Sequence, residues 1–324
     1  MIAVLCGGVG AARLLAALSL VEDPADLVGI VNVGDDLELH GLRICPDLDT
    51  ITYTLADAVN PETGWGLRDE TWQAMAMVRR YGGVSWFGLG DRDLGTHLYR
   101  TQRLADGADL SAVTAEITEA WGLRVRLLPA THDAVRTMVT LAADDGPGPD
   151  SPGARAGTEV GFQEYFVRRR HDVAVSAVRF DGAATARPAP GVVTALDHAD
   201  VVVIAPSNPL VSIAPVLAVE EIRAAAVARR SSVVAVSPIV GGSALKGPAD
   251  RLLAELGHES SVVGIARLYA EIAATLVIDP VDAHLADAVR AEGLHCVVTP
   301  TIMSRPGVAA TLASAVLAAG GRSS

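Results

Sequence analysis

The chain predicts an α/β fold, a Rossmann-like doubly wound and mainly parallel sheet with a mostly helical insertion. Three observations carry this. The opening reads strand, helix, strand; apolar strands alternate with helical stretches again in the C-terminal half; and the segment between them has helical periodicity.

In order, a strand near 2 to 5 precedes a helix from about 10 to 20 and a second strand near 28 to 33. A crossover of that length is almost always parallel and right-handed, so ligand-binding loops gather at the carboxyl ends of the strands. Residues 51–171 are expected to form the helical insertion, with helices from Asp69 to Arg80, Leu94 to Leu104 and Leu110 to Trp121 and one strand from Val84 to Leu89. Gly, Pro and Asp crowd residues 142–158, which predicts a flexible loop. Strands follow near Ala174 to Val178, Val201 to Ala205, Ser232 to Ser237, Thr275 to Ile278 and His295 to Val298. Residues 1–50 and 172–324 then make the nucleotide-binding core.

Composition narrows the function classes. Half of the 324 residues are hydrophobic, but in short runs that never reach the roughly 20 residues of a spanning helix, so no membrane association is expected. Met1 to Leu5 reads as a strand and not a leader, and a cytoplasmic location is expected. A net charge of -12 argues against broad nucleic-acid binding, and Arg168-Arg169-Arg170 reads as a solvated helix end. Lys246 is the only lysine; Cys6, Cys45 and Cys296 lack the spacing of a zinc or redox site. Ala-rich helices suit a homodimer.

Cys6-Gly7-Gly8-Val9-Gly10 joins the first strand to the first helix, where backbone N–H groups and the helix dipole favour a phosphate. Arg13 occupies the place of the third glycine of a dinucleotide fingerprint, which counts against an NAD enzyme. Two more loops follow strands: Pro206-Ser207-Asn208-Pro209, and Ser237 to Gly242 with its Gly241-Gly242 pair. The second of these runs on to Lys246 but fails the P-loop test, since lysine precedes glycine and no Ser or Thr follows.

Carboxylates collect at matching places: Asp35 and Asp36, Asp47 and Asp49, Asp91 and Asp93. Asp is a common helix N-cap, and Asp47 taken singly reads equally well as one. Beside phosphate loops they suggest Mg2+, with Asp36 and Asp49 as ligands or as acceptors of a substrate proton, and Arg92 as a phosphate clamp or a buried ion-pair partner. No zinc signature is present; His97, one turn beyond Asp93, is the histidine worth testing. Trp86 and Phe87 fit a core strand better than a stacking platform.

In order and spacing, Cys6 to Gly10, Asn32-Val33-Gly34-Asp35-Asp36, Pro46-Asp47-Leu48-Asp49-Thr50, Leu89-Gly90-Asp91-Arg92-Asp93, Pro206 to Pro209 and Ser237 to Gly241 resemble the 2-phospho-L-lactate transferase family of coenzyme F420 biosynthesis. The resemblance covers essentially the whole chain. It implies a Mg2+-dependent transfer of a phospho-enolpyruvyl or 2-phospho-L-lactyl group from a guanosine-diphospho donor to the deazaflavin Fo, with GMP released. It further implies donor contacts at Gly7, Gly8, Gly10, Arg13, Asn32, Ser207, Asn208, Ser237, Gly241 and Gly242. Acceptor contacts are implied at Asp49, Asp91 and position 88. Some members carry a basic residue at that last position, where this chain has Gly88. The competing reading is a nucleotide-sugar-binding regulator of the same superfamily.

Overall fold

A computed structural model describes residues 1–148 and 152–322. Seven parallel strands form the central sheet: β1 (Ile2–Cys6), β2 (Leu27–Val31), β3 (Arg126–Pro129), β4 (Val201–Ile204), β5 (Val233–Val236), β6 (Thr275–Ile278) and β7 (His295–Val298). Their spatial order is β7-β6-β5-β4-β1-β2-β3. Winding changes direction between β1 and β4, the switch point beside which such sheets bind ligands. The expected doubly wound α/β fold is what the chain adopts.

The strands are apolar throughout because both sheet faces are covered. Ile2, Val4, Val31, Val201 and Val203 face one core with α1 (Gly8–Leu18), α2 (Pro46–Leu55) and the helix Val308–Ala319. Their neighbours Ala3, Leu5, Ile30, Val202 and Ile204 face a second core with the helices Val192–His198, Glu220–Ala228 and Val262–Tyr269. This alternation follows from the two-residue repeat of a strand.

Between β2 and β3 lie α3 (Gln73–Arg80), α4 (Asp91–Ala105) and α5 (Leu110–Ala120). The segment 51–171 also holds β3, the edge strand of the main sheet, and two strands of a small antiparallel sheet ordered Glu159–Gly161, Arg136–Leu141, Val175–Asp181. The strand expected near 174–178 belongs to this small sheet and not to the parallel one. Its exposed Ser176, Ala177, Arg179 and Asp181 explain why, since an antiparallel sheet tolerates one wet face. Residues 84–89 form no strand. Gly82 and Gly83 precede them and Gly88 interrupts them, no ladder partner lies beside them among the described residues, and Trp86 meets Phe87 edge-on at 5.7 Å on a half-buried loop.

In the expected flexible loop, residues 149–151 lie outside the described residues, and an isolated bridge pairs Asp145 with Ala154. Arg169 departs from a solvated helix end: it is buried and pairs with Asp145 and, at 2.7 Å, with Glu164. Among the described residues no helix is long and apolar enough to cross a membrane.

Candidate active site

The turn from β1 into α1 is shaped by what surrounds its glycines. A methyl group on Gly10 would come within 2.2 Å of the Pro206 carbonyl oxygen, and one on Gly7 within 2.8 Å of Ser212 Cβ; Gly8 adopts φ +68°. Ser207 Oγ donates to the Gly7 carbonyl at 2.7 Å, tying the loop after β4 to the turn after β1. Gly8 N–H donates to Asp47 Oδ1 at 2.8 Å, and Asn32 Nδ2 donates to Asp47 Oδ2 at 2.9 Å. Asn32 Oδ1 in turn accepts the Gly34 N–H at 2.8 Å. Expected site residues Gly7, Gly8, Gly10, Asn32 and Ser207 thus converge at the carboxyl ends of β1, β2 and β4.

Pro46 opens α2 at a position that needs no N–H, and Asp47 and Asp49 stand in its first turn, where the dipole favours negative charge. The two side chains serve different neighbours. Asp47 reaches the glycine turn, whereas Asp49 grips Arg100 through both oxygens, one at 3.1 Å. Arg100 is almost wholly buried, and although burial opposes its charge the Asp49 carboxylate holds the guanidinium ionised. His97 lies 3.7 Å from Asp49 Oδ2 and 3.3 Å from Asp93 Oδ2. Tyr53 OH donates to Asp93 Oδ1 at 2.6 Å. Burial pushes the Asp93 carboxyl up, but the neighbouring His97 and the hydrogen bond from Tyr53 outweigh it and leave it below the usual range. One ligand atom each from Asp49, Asp93 and His97 falls within a 4.8 Å group.

Asp36 lies between these two clusters. Its Oδ2 accepts from Arg43 Nη2 and from Cys45 Sγ, both at 3.1 Å. Burial lifts its carboxyl to about 7 against the pull of Arg43. Burial and the Coulomb field of Asp47 raise Asp35 well above the usual range, and burial brings Asp47 to about 6. Asp35 Oδ1 and Asp36 Oδ1 are buried without a hydrogen-bond partner among the described residues. Burial likewise pushes the thiols of Cys6 and Cys45 up, which keeps them neutral.

The other expected residues have visible structural duties. Asp91 caps α3, accepting from Thr71 Oγ1 at 2.5 Å and from the Gln73 and Ala74 N–H groups at 2.9 and 3.0 Å. Arg92 is exposed and donates to the Arg68 carbonyl at 2.7 Å, so it braces a loop and joins neither carboxylate cluster. Asn208 caps the segment Pro209–Ile213 through the Leu210 N–H, and Ser237 closes a turn onto Ile239. Gly241 and Gly242 take φ of +60° and +79°, and Asp282 Oδ2 accepts the Gly241 N–H at 2.9 Å. Arg13 stands half-buried on α1 with no ion pair among the described residues. Gly88 lies against two indole rings, Trp72 and Trp65.

Arg100 and Tyr53 are the participants that the sequence reading omits. Both carried a signal: Asp93, His97 and Arg100 are spaced i, i+4, i+7 on one helix face, and Tyr53 follows Asp49 by four.

Against this geometry, the sequence model of the family described as 2-phospho-L-lactate transferase CofD matches residues 2–313. The chain is 43% identical over 320 residues to a phosphoenolpyruvate transferase of Kitasatospora aureofaciens, covering 98% of this chain and 97% of that one. It is 44% identical over 318 residues to a phosphoenolpyruvate transferase of Streptomyces coelicolor, with the same coverage. Among solved structures, a crystal structure of a UPF0052 family member from Bacillus halodurans superposes with a TM-score of 0.60 over 98% of both chains at 18% identity, a likeness of fold.

Proposed function

Because the chain belongs to the 2-phospho-L-lactate transferase CofD family and is a transferase of coenzyme F420 biosynthesis, we propose that it moves a phospho-enolpyruvyl group from a guanosine-diphospho donor to the deazaflavin Fo. The phosphoenolpyruvate transferase names of its relatives favour the enolpyruvyl donor over the lactyl one. One observation carries the reading. The glycine turn, Asn32, Asp47 and Ser207 meet at the switch point beside buried carboxylates with unpartnered oxygens, a floor suited to a diphosphate and its cation.

In this reading the terminal ribityl hydroxyl of Fo attacks the phosphorus that bears the three-carbon acid. The bond from that phosphorus to the bridging oxygen breaks, GMP leaves with that oxygen on its phosphate, and the proton of the attacking hydroxyl is released with it. Such transfers depend on alignment and charge compensation, so the protein's task is to hold the two substrates in line.

Magnesium fits Asp36 and its neighbour Asp35. Each offers a buried oxygen without a hydrogen-bond partner, and hard cations take carboxylate oxygens. Asp49 fits less well, since both of its oxygens already hold Arg100. When bound, the ion would supply neutralisation of the diphosphate and of the leaving GMP. Asp49 then acts with Arg100 to fix α2, and through α2 the position of Asp47 under the glycine turn.

The test is an incubation of purified protein with magnesium, Fo and either donor, read by chromatography. GMP and a more acidic deazaflavin should appear, faster with the enolpyruvyl donor. No GMP from either donor, beside an active control enzyme, refutes the proposal.

A further inference from the structure

Thr137 stands on the middle strand of the small antiparallel sheet, Arg136–Leu141, on the same inward face as Val139 and Leu141. It is 1% exposed, and its companions on that face are apolar. Valine shares threonine's branched shape and would fill the position without a polar atom. Threonine instead buries a hydroxyl, whose Oγ1 makes no hydrogen bond among the described residues. A buried hydroxyl left unpaired is destabilising, so an orphan of this kind requires a partner from outside the chain.

The neighbours of the hydroxyl decide what that partner is. Thr137 N–H donates to the Gly34 carbonyl at 2.8 Å, which pins the small sheet to the turn after β2. A methyl group on Gly34 would come within 2.6 Å of Thr137 Oγ1 and 3.0 Å of Asn32 Oδ1, so glycine is what lets the hydroxyl reach the turn. The next two residues are Asp35 and Asp36, each with a buried Oδ1 that is also orphaned. Burial, then the Asp47 field, raises the Asp35 carboxyl; Asp36 adds to the repulsion, while the Asn32 and Thr137 side chains beside it pull the other way. Two carboxylate oxygens and one hydroxyl oxygen form a donor set for a hard cation, and the carboxylates repel an anion. A water molecule would satisfy the hydroxyl but leave the repulsion between the carboxylates in place.

We propose that Thr137 Oγ1 is a third protein ligand of the divalent cation held by Asp35 and Asp36, so that the small sheet and the main sheet build the metal seat together. That the ion is magnesium rests on the function proposed above; the place of Thr137 in the seat rests on the orphaned oxygens and on Gly34. In a P-loop the Ser or Thr that follows the lysine supplies a hydroxyl to magnesium. The glycine-rich loop from Gly241 to Gly247 has no such residue after Lys246, and Thr137 supplies the hydroxyl from a different element.

Electron paramagnetic resonance of Mn2+ counts the free ion and so reads metal binding without either substrate. Thr137→Val should lower Mn2+ affinity by about tenfold or more, the loss typical when a residue of the shell around a metal is removed. Thr137→Ser keeps the hydroxyl and should stay close to the parent. Melting supplies a second readout. Valine removes an unpaired hydroxyl, so metal-free Thr137→Val should melt at the parent temperature or above it, while the rise on adding Mn2+ should shrink. Unchanged Mn2+ affinity in Thr137→Val overturns the proposal, as does a parent protein that takes up no Mn2+. An equal loss of affinity in Thr137→Ser, or a lowered melting temperature of metal-free Thr137→Val, also overturns it, because either reports a packing role. Mn2+ binding that depends on Thr137 without any GMP release would sink the proposed reaction and leave this ligand standing; GMP release with Mn2+ affinity indifferent to Thr137 would do the reverse.

Discussion

Gly8 donates its backbone N–H to Asp47 Oδ1 at 2.8 Å, across 39 residues of sequence. The helix end that offers itself to a phosphate is thereby closed on one side by a carboxylate of α2. A diphosphate docking here meets a turn pre-shaped by Asp47, not a loose loop.

Removing that carboxylate strands two donors, the Gly8 N–H and the Asn32 amide. Asp47→Ala should cost about 1–3 kcal/mol of stability, the penalty for buried groups left unpaired. Asp47→Asn keeps an acceptor for Gly8 and should lose less. Urea unfolding of the three proteins at one pH checks the order.

Asp36 makes stability depend on pH. Its folded carboxyl sits at about 7, above the ordinary 3.8, so the folded state holds a proton that the unfolded chain has released across that window. The contribution is complete below the unfolded value and falls as pH rises through the folded one, by about 4 kcal/mol for this group alone at 1.36 kcal/mol per unit. The loss of urea midpoint between pH 5 and pH 8 should therefore shrink in Asp36→Asn. An unchanged loss would assign the dependence to other groups.

Arg100 is nearly fully buried against Asp49, so Arg100→Leu should cost about 3–5 kcal/mol by leaving a buried carboxylate unpaired. The double variant Asp49→Leu, Arg100→Leu should regain most of that loss. Strictly additive losses in denaturation would show that the pair is not coupled.

Two glycines of the turn should respond differently to alanine. At Gly8 the space is open but φ is +68°, and the left-handed backbone costs about 1–2 kcal/mol. At Gly10 the new methyl meets the Pro206 carbonyl, rigid backbone held by a neighbouring loop, and about 3 kcal/mol or more should be lost. Melting curves of the two variants should rank Gly10→Ala as the worse.

What was legible follows from local physics. The β1 strand, the glycines and α1 announce themselves by the change of apolar period within a dozen residues, and the strands β4 to β7 by their unbroken Val and Ile runs. The Asp49–Arg100 pair was hidden because its partners stand on α2 and α4, 51 residues apart, and no periodicity spans that gap. The apolar run at 84–89 misled because β propensity says nothing about whether a neighbouring strand exists to pair with. The capping duty of Asp91 was not legible because it is exerted on α3, a helix that precedes it in the chain.

β1 leaves the ribosome well before β4, and its register with β4, Ile2 against Val201, needs a segment made about two hundred residues later. Until then the nascent β1–β2 pair carries an unpaired, wholly apolar edge. Long-range pairing of this kind slows folding, and an open edge invites association with other chains. Yield in a heterologous host should therefore respond to chaperone supply and growth temperature more than to changes on the protein's surface.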